Sequence, residues 1–295
     1  MASHFKTIGI FAKLKNKGVK ESLKALINRL QELNIKVIVE SETAESLAAN
    51  NLTTVNKDEL SELADLLIVV GGDGSLIHAA HTIRNSSTPV VGINRGSLGF
   101  LTDIHPDELN KIEDILQGKF FIEKRFLLTA SVKQNNKISE QDEALNEVAI
   151  IPGTNPHMIE LEIYIDEKFV CSQNSDGLII ATPTGSTAYA LSGGGPILHP
   201  SLDAIVIVPM FPHSLNNRPI VVEGNSKIDV IVTPNNNRAP RVSCDAREYL
   251  NTEIGGSITI SKKENPLHLI HPLDYDYYEA LRSKLHWGKK LFYSE

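Results

Sequence analysis

The segment LLIVVGGDGSLI (66–77) constrains the fold most strongly. It opens with five apolar residues rich in β-branched side chains, a run that is too short for a buried helix and typical of a buried parallel strand. The turn GGDG follows, and Ser75 is placed to cap a helix whose inner face would carry Leu76, Ile77 and Ala80. A strand, a glycine turn and a helix start together present free backbone N–H groups, which suit a phosphate.

One residue of the glycine turn, Asp73, is unexpected at a phosphate site. Two like charges a few ångströms apart repel by about 4 kcal/mol at an effective dielectric constant near 20. A loop built only to hold phosphate would therefore not carry a carboxylate, and the acid indicates chemistry or a metal ion. The alternative is that Asp73 is an ordinary turn residue, because Asp and Gly are common in turns.

The composition argues against several classes of function. With 295 residues, 41% of them hydrophobic, the chain is long enough for one large domain or two ordinary ones. A net charge of −7 argues against a broad electrostatic affinity for nucleic acid or for an anionic membrane. The sequence shows no signal peptide and no apolar run of membrane-spanning length, and its two cysteines lack metal-ligand spacing. We therefore expect a cytoplasmic protein without nucleic-acid or membrane partners.

The pattern of apolar residues changes near Leu101. Before it, predicted strands alternate with predicted helices, which favours a parallel sheet covered by helices. The strands are predicted at 7–12, 35–39, 66–70 and 89–93, the helices at 18–34 and 57–64, and a loop or weak helix at 41–56. After Leu101, closely spaced short strands favour a sandwich or barrel. We predict an α/β domain over 1–100 and a β-rich domain over 101–274, with a helix in 275–295 that returns to the first domain.

Two familiar glycine-rich templates do not match this chain. The sequence has no GxxxxGK[ST] P-loop, and Ile77 stands where a dinucleotide fingerprint requires Gly or Ala. Both the GGDG turn and Asn94-Arg95-Gly96 follow predicted strands, and ligands of parallel sheets bind beyond the carboxyl ends of the strands. Asn94-Arg95 could hold the 2′-phosphate of NADP in a dehydrogenase, but the incomplete fingerprint argues against that class.

A second polar segment, TPTGSTAYALSGGGP (182–196), also follows a predicted strand. Its hydroxyl and backbone N–H groups suit phosphates and sugar hydroxyls, and Tyr189 could stack on a base; the alternative is turn chemistry alone. Asn146-Glu147 precedes an apolar strand and could grip the vicinal hydroxyls of a ribose, or could serve only as a capping pair. Asp176 could meet a ligand hydroxyl or close a turn. The ten histidines show no metal-binding pattern.

Together these motifs resemble those of the NAD kinase family, in its bacterial branch. The resemblance spans nearly the whole chain, and it rests on GGDG at 71–74, VGINRGSLGFL at 91–101, Asn146-Glu147, the segment 182–196, VPMFPHSLNNRPIV at 208–221 and SCD at 243–245. GGDG alone is shared with phosphofructokinases and with diacylglycerol and sphingosine kinases, but the ordered set is specific.

The resemblance implies a fold and a reaction. The fold is an α/β N-terminal domain with a parallel, Rossmann-like sheet similar to that of phosphofructokinases, followed by an all-β, sandwich-like C-terminal domain. The reaction transfers the γ-phosphoryl group of ATP to the adenosine 2′-hydroxyl of NAD and gives NADP. The family needs a divalent cation, for which Mg²⁺ is expected, and the expected assembly is a homo-oligomer, a dimer or a tetramer.

The resemblance also assigns roles to residues. Asp73 matches the catalytic base that faces the 2′-hydroxyl, and Asn146 and Glu147 match a pair that binds ribose. Asn174 and Arg247 depart from the family pattern. Some relatives have a basic residue at the position of Asn174, and some have Gln at the position of Arg247. The expected phosphate-binding residues are Gly71, Gly72, Gly74 and Ser75. The expected NAD-binding residues are Asp73, Gly74, Asn146, Glu147, His157, Asn174, Asp176, Thr187, Ala188, Tyr189, Ala190, Leu191, Ser192 and Arg247, and no residue is assigned to the metal.

Two further alternatives stay open at this point. Another kinase of the GGDG group would phosphorylate a lipid or a sugar phosphate, and Asn146-Glu147 together with the β-rich half argues against it. A dinucleotide sensor without catalysis would bind its ligand better without the negative charge of Asp73.

Overall fold

The computed structural model of the chain describes residues 3–13, 17–47, 52–83, 87–95, 99–134, 137–153 and 157–287. The chain divides into two compact units. Unit 1 comprises Met1–Lys124 and Leu267–Glu295, and unit 2 comprises Arg125–Pro266. Within the described ranges, no helix has both the length and the apolar character needed to cross a membrane.

Unit 1 is an α/β structure. Its elements are β1 (Thr7–Ala12), α1 (Lys17–Glu32), β2 (Lys36–Glu40), α2 (Ser41–Leu47), β3 (Thr53–Val55), α3 (Lys57–Leu63), β4 (Leu66–Gly71), α4 (Asp73–Thr82), β5 (Val90–Asn94), α5 (Leu109–Leu116), β6 (Phe120–Arg125), β19 (Leu267–Pro272) and α7 (Tyr277–Leu285). The sheet has the strand order β3-β2-β1-β4-β5-β19-β6. The pairs from β3 to β19 are parallel, which confirms the predicted parallel sheet.

The core of unit 1 explains why its central elements form. Every residue of β4 is buried, as expected of a strand covered on both faces. The apolar stripe of α1 includes Val19, Leu23 and Leu30, and it packs in one cluster with side chains of β1 and β4. The predicted helix 18–34 included Leu33, but α1 ends at Glu32 and Leu33 is 38% exposed.

Three strands of unit 1, β3, β6 and β19, were not predicted from the sequence. The stretch expected to be loop or weak helix contains α2, whose Thr43, Ala44 and Leu47 are buried, and then β3. β19 lies far along the chain and inserts between β5 and β6. The predicted boundary near Leu101 therefore falls before the observed division at Lys124, since β6 joins the first sheet. Residues 288–295 of the predicted tail helix and Gly96 lie outside the described residues.

Unit 2 is built from antiparallel strands. Its strands are β7 (Leu128–Gln134), β8 (Lys137–Ala144), β9 (Glu147–Ile151), β10 (Ile159–Ile165), β11 (Lys168–Ser175), β12 (Gly177–Ala181), β13 (Ala204–Met210), β14 (Ile220–Glu223), β15 (Ile228–Val232), β16 (Arg241–Cys244), β17 (Tyr249–Asn251) and β18 (Ser257–Lys262). A 3₁₀ turn (Gly185–Thr187) and the short α6 (Tyr189–Ser192) follow β12. One sheet has the order β11-β10-β15-β18-β7-β8, and the other has β14-β13-β12-β9-β16-β17.

The two sheets of unit 2 form the predicted sandwich. Alternate residues of β10, including Leu161 and Ile163, and residues of β12 and β9 on the other sheet belong to one buried cluster. The opposite face of β12 and β13 carries a second cluster, which Ala190 and Leu198 complete. The segment 182–198 is therefore attached to the outer face of the second sheet.

Candidate active site

The glycine turn joins β4 to α4 at the carboxyl edge of the parallel sheet. β4 ends at Gly71, Gly72 is the N-cap of α4 with φ −102° and ψ −175°, and the helix begins at Asp73. The prediction that Ser75 caps this helix is wrong, because the N–H groups of Ser75 and Leu76 already bond the carbonyl of Gly72, at 2.8 and 3.3 Å. The first N–H groups of a helix have no partner within it, so this end suits an anion.

A cavity of about 320 Å³ lies beside the glycine turn. The cavity is lined by all four predicted phosphate-binding residues, Gly71, Gly72, Gly74 and Ser75. The spaces that side chains of Gly72 and Gly74 would fill are open, with no atom within 4 Å. Lys13 and Arg95 add two positive charges to the lining, so the cavity combines backbone amides with cations.

Arg95 is fixed against the glycine turn and the start of α1. Its backbone N–H bonds the carbonyl of Gly71 at 3.0 Å, beside the paired residues Gly71 and Asn94. Its guanidinium lies 3.1 Å from the place that a Cβ on Gly18 would occupy. In the described part of the chain, the Nε atom of Arg95 is buried without a hydrogen-bond partner. A buried donor beside a cavity lined by glycines suits an anionic ligand.

The carboxylate of Asp73 is held by the segment that follows β5. Oδ2 accepts a hydrogen bond from the N–H of Phe100 at 2.9 Å. Oδ1 accepts from the N–H of Leu101 at 3.1 Å and from the N–H and hydroxyl of Thr102 at 3.2 and 3.1 Å. All four partners are donors, which matches the acceptor-only character of an ionised carboxylate. Gly99 lies so close to the Asp73 carboxylate that a Cβ on Gly99 would overlap Oδ1.

This arrangement accounts for a negative charge in a phosphate-binding turn. Among the described residues, the lining of the cavity does not include Asp73. The glycines on either side of it face the cavity, while its carboxylate is bonded to three backbone N–H groups elsewhere. The repulsion between Asp73 and a bound phosphate is therefore reduced by the position of the carboxylate and by its hydrogen bonds.

In unit 2, Asp245 holds the Asn146-Glu147 pair at the start of β9. The carboxylate of Asp245 accepts hydrogen bonds from the N–H groups of Leu145 at 2.7 Å, Asn146 at 2.8 Å and Glu147 at 3.1 Å. Asp245 and the next residue, Ala246, both have left-handed backbones, with φ of 52° and 54°. Non-glycine residues seldom adopt this conformation, and strain of this kind is concentrated at functional sites.

Glu147 is buried and electrostatically unusual. Burial and the charge of Asp245 raise the pKa of Glu147 to about 7, although the backbone N–H of Tyr189 bonds its carboxylate and acts in the opposite direction. In the described part of the chain, Oε2 of Glu147 is buried without a hydrogen-bond partner. Perturbed carboxyl groups with unused acceptors are typical of binding and catalytic sites.

The segment 182–196 contacts this pair directly. The N–H of Thr182 bonds the carbonyl of Asn146 at 2.9 Å, and its hydroxyl bonds the carbonyl of Leu145 at 2.6 Å. Gly185 sits so close that a Cβ there would overlap the backbone of Asn146. The two motifs, which are separate in the sequence, therefore form one surface, which includes the 3₁₀ turn and α6.

The residues of this surface differ in exposure. The side chain of Tyr189 is 41% exposed, and that of Ala190 is fully buried in the second cluster. The whole residue is buried, so Ala190 offers no exposed surface for its predicted contact with a ligand. Thr187, Ala188 and Leu191 are half-buried, and Ser192 is exposed.

The structure places three predicted NAD-binding residues at the other end of the strands. In the pairing of β12 with β9, Ala181 lies opposite Glu147, whereas Asp176 precedes the first residue of β12. At about 3.3 Å per residue, Asp176 is roughly 17 Å from Glu147 along the strand. Asn174 lies near the C-terminal end of β11, which Asp176 connects to β12. His157 lies just before β10, whose first residues pair with that end of β11. These three residues do not belong to the Asn146-Glu147 surface.

Arg247 is bonded to acidic and carbonyl groups of its own unit. Its Nη2 atom lies 2.6 Å from Oδ2 of Asp142 and 3.0 Å from the carbonyl of Glu143. Its Nε atom is buried without a partner in the described part of the chain. The side chain is therefore anchored through Nη2.

Lys13, Thr102 and Asp245 belong to these sites, but no sequence motif assigned roles to them. Asp245 was noted only within the SCD motif, and its bonds to the N–H groups of residues 145–147 follow from tertiary structure. Lys13 follows β1 directly, so its position at the carboxyl edge could have been found by applying the same edge rule to the first strand. The contacts of Thr102 with Asp73 join residues 29 positions apart and leave no local pattern.

The described residues alone do not form a metal site. Within the described ranges, no group of three or more His, Cys, Asp and Glu side chains is arranged to hold a metal ion. Asp73, the carboxylate nearest to the glycines of the cavity along the chain, already accepts four hydrogen bonds. The part of the chain that the structure describes therefore forms no dedicated cage for Mg²⁺, which usually binds through one or two carboxylates and substrate phosphates.

Comparison with known proteins agrees with the motifs. Residues 8–120 match the family model of the ATP-NAD kinase N-terminal domain, and residues 145–272 match that of the ATP-NAD kinase C-terminal domain. The NAD kinase of Pseudomonas entomophila is 52% identical over 288 residues, which cover 97% of each chain. The NAD kinase of Pseudomonas aeruginosa is 51% identical, over 97% of this chain and 98% of that one.

Solved structures with the same fold include complexes with nucleotides. A yeast NADH kinase complexed with NADH superposes with a TM-score of 0.89 at 25% identity, covering 98% of this chain and 90% of that chain. An NAD kinase from Archaeoglobus fulgidus in complex with ATP superposes with a TM-score of 0.72 at 25% identity, covering 95% and 98%. Two family models across most of the chain, and relatives above 50% identity over nearly all of it, show that this chain belongs to the NAD kinase family of phosphotransferases with an alcohol group as acceptor.

Proposed function

We propose that this chain transfers the γ-phosphoryl group of ATP to the adenosine 2′-hydroxyl of NAD and so forms NADP. The observation that carries the proposal is the glycine turn, whose glycines line a cationic cavity while the carboxylate of Asp73 is held in place by four donors. The cavity suits a triphosphate, and a fixed carboxylate at the same turn suits the acceptor hydroxyl. The names of the relatives and the NADH and ATP of the structural neighbours support the choice of substrates.

The cavity in unit 1 is assigned to the phosphates of ATP. The N–H groups of the glycine turn would bind phosphate oxygens, and Lys13 and Arg95 would neutralise part of their charge. Catalysis of phosphoryl transfer depends mainly on positioning and electrostatic stabilisation, and prearranged amides and cations supply both. The hydroxyl of Ser75 is a further donor in the same cavity.

The surface around Asn146-Glu147 in unit 2 is assigned to a ribose of NAD. Oε2 of Glu147 is a buried acceptor that a ribose hydroxyl would satisfy, and the neighbouring amide of Asn146 would bind the second hydroxyl. Residues 187–192, with Tyr189 exposed, would line the adenosine. His157, Asn174, Asp176 and Arg247 are assigned to other parts of the dinucleotide.

Asp73 is assigned the role of general base. The 2′-oxygen forms a bond to the γ-phosphorus, the bond from that phosphorus to the β,γ-bridging oxygen breaks, and ADP leaves. The proton of the hydroxyl moves to the carboxylate. Among the described residues, Oδ1 accepts three hydrogen bonds and Oδ2 accepts one, so Oδ2 has the larger free acceptor capacity and is the oxygen we assign to this proton. Such a base contributes roughly 10²- to 10⁴-fold.

The proposal includes Mg²⁺ as the divalent cation, bound with the phosphates of ATP. It also includes a homo-oligomer, a dimer or a tetramer, acting in the cytoplasm, where both substrates are available. Light scattering of the purified protein measures the size of the assembly, and a monomer at assay concentrations would contradict that part of the proposal.

A coupled assay tests the reaction. The purified protein is incubated with NAD, ATP and Mg²⁺, and any NADP is detected with an NADP-specific dehydrogenase. The expected result is NADP formation that depends on all three components. Absence of NADP with several donors and metals would reject the proposal, and phosphorylation of a lipid or a sugar phosphate in its place would support the alternative class of GGDG kinases.

A further inference from the structure

A buried ionic network lies next to the segment that holds Asp73. The ring of His271, on β19, is fully buried, and its two nitrogens face two carboxylates. Nδ1 lies 2.8 Å from Oδ2 of Asp103, and Nε2 lies 3.1 Å from Oε2 of Glu123. Tyr275 stacks on the same ring, with centroids 3.9 Å apart. Burial alone would lower the pKa of His271, but the hydrogen bonds and charges of Asp103 and Glu123 raise it above its ordinary value.

The network is one residue away from the group that binds Asp73. Thr102, whose N–H and hydroxyl bond Oδ1 of Asp73, is followed directly by Asp103. The next residue, Ile104, pairs with β5 through its N–H and carbonyl groups. Thr102 also packs against β5 at Gly92, where a Cβ would come within 2.9 Å of the Thr102 backbone. A displacement of Asp103 is therefore transmitted to Thr102 over one peptide unit.

Stability alone does not explain this network. Buried ion pairs seldom stabilise a fold more than apolar side chains of the same volume would, because both charges lose their hydration. Only 5% of the Asp103 side chain is exposed, yet its Oδ1 has no hydrogen-bond partner within the described residues. Such a group is costly to bury, and what it supplies in return is a fixed position for residue 103.

We propose that Asp103, held by His271, is a positioning residue for catalysis. It fixes the segment 100–102, whose N–H groups orient the carboxylate of Asp73 toward the acceptor hydroxyl. This inference rests on the proposed function of Asp73 as general base. Asp103 does not touch the substrates in this scheme, and it acts only through the segment and Asp73.

Asp103→Ala and Asp103→Asn separate positioning from folding. Asp103→Ala removes the hydrogen bond to His271, whereas Asp103→Asn keeps an oxygen that can accept a hydrogen bond from Nδ1–H of His271. Asp107→Ala removes an exposed carboxylate from the same stretch of chain and serves as the control. A misplacement of about 1 Å costs up to 10²-fold in rate. We expect Asp103→Ala to lower kcat by roughly 10- to 100-fold while KM for NAD and ATP changes less than about threefold.

Hydrogen exchange supplies a readout that does not need activity. The backbone N–H groups of residues 100–102 should lose protection in Asp103→Ala and keep it in Asp103→Asn, which should also keep most of kcat. In an Asp73→Asn background, Asp103→Ala should lower the residual rate no further, because both changes act through one group. The same fold loss in both backgrounds, or unchanged protection of residues 100–102, would overturn the inference. If the parent protein forms no NADP, the proposed function fails, and the exchange result still decides whether Asp103 fixes the segment.

Discussion

Replacing Glu147 by Gln tests the electrostatics of the Asn146-Glu147 surface while keeping the shape of the side chain. Glu147 is 7% exposed and begins β9, and Asp245 lies beside it with its own charge. A neutral amide removes the charge that burial and Asp245 oppose. We therefore expect Glu147→Gln to unfold at a higher temperature than the parent above neutral pH, in the absence of nucleotides.

The magnitude follows from the shifted pKa. Burial and the charge of Asp245 raise the pKa of Glu147 from its ordinary 4.5 to about 7. Because the pKa of Glu147 is higher in the folded than in the unfolded state, its ionisation opposes folding. The resulting loss of stability is absent below the unfolded-state pKa and grows until the pH exceeds the folded-state pKa. At about 1.4 kcal/mol per pKa unit, the full cost is about 3 kcal/mol, of which roughly 2 kcal/mol develops between about pH 5.5 and pH 8.

Thermal unfolding of the parent and the variant at both pH values measures this difference. The advantage of Glu147→Gln should grow by about 4 to 8 °C from the acidic to the alkaline condition, since 1 kcal/mol corresponds to about 2 to 4 °C in a unit of this size. Glu253→Gln, at an exposed carboxylate of the same unit, should show no such growth. An advantage that stays constant, or that grows toward acid, would refute the assignment of a buried, charge-opposed carboxyl group.

Three further predictions concern the donor cavity, the acceptor surface and the metal. Lys13→Ala should raise KM for ATP by roughly tenfold, from the loss of a charged phosphate contact, while KM for NAD stays unchanged; the same result with exposed Lys6→Ala would contradict the assignment. Gly185→Ala should destabilise unit 2 by about 1 to 3 kcal/mol in urea unfolding, because the new Cβ would overlap the Asn146 backbone. Gly153→Ala, whose Cβ would lie 3.5 Å from its nearest neighbour, should cost little in the same assay. A chelator should abolish NADP formation, and excess Mg²⁺ should restore it. The chelator should not change the unfolding temperature of the nucleotide-free protein, because the described residues form no metal cage. A chelator that lowers the unfolding temperature would show a structural metal.

The parts of the fold that sequence patterns predicted are those set by short-range periodicity. The buried run of β4 predicted its strand, because a short apolar run rich in β-branched residues is typical of a strand covered on both faces. The placement of the glycine turn beside Asn94 then follows from the parallel sheet, in which carboxyl ends meet at one edge.

The parts that sequence patterns did not predict depend on contacts between distant segments. β19 joins the first sheet about 170 residues after β5, next to which it lies, so its membership of unit 1 has no local signal. The start of α4 was misplaced because Gly72, which has no side chain, acts as the cap through its backbone alone. The four donors to Asp73 come from residues 27 to 29 positions away and could not be read from the GGDG motif.

The most direct test of the account combines labelled ATP with one substitution. The parent protein and Asp73→Asn are incubated with saturating NAD, Mg²⁺ and ATP labelled in the γ-phosphoryl group, and the labelled product is analysed for the position of the phosphate. The account predicts label on the adenosine 2′-oxygen with the parent, and a rate lower by roughly 10²- to 10⁴-fold with Asp73→Asn at nearly unchanged nucleotide binding. Label on any other oxygen, or full turnover by Asp73→Asn, would contradict it.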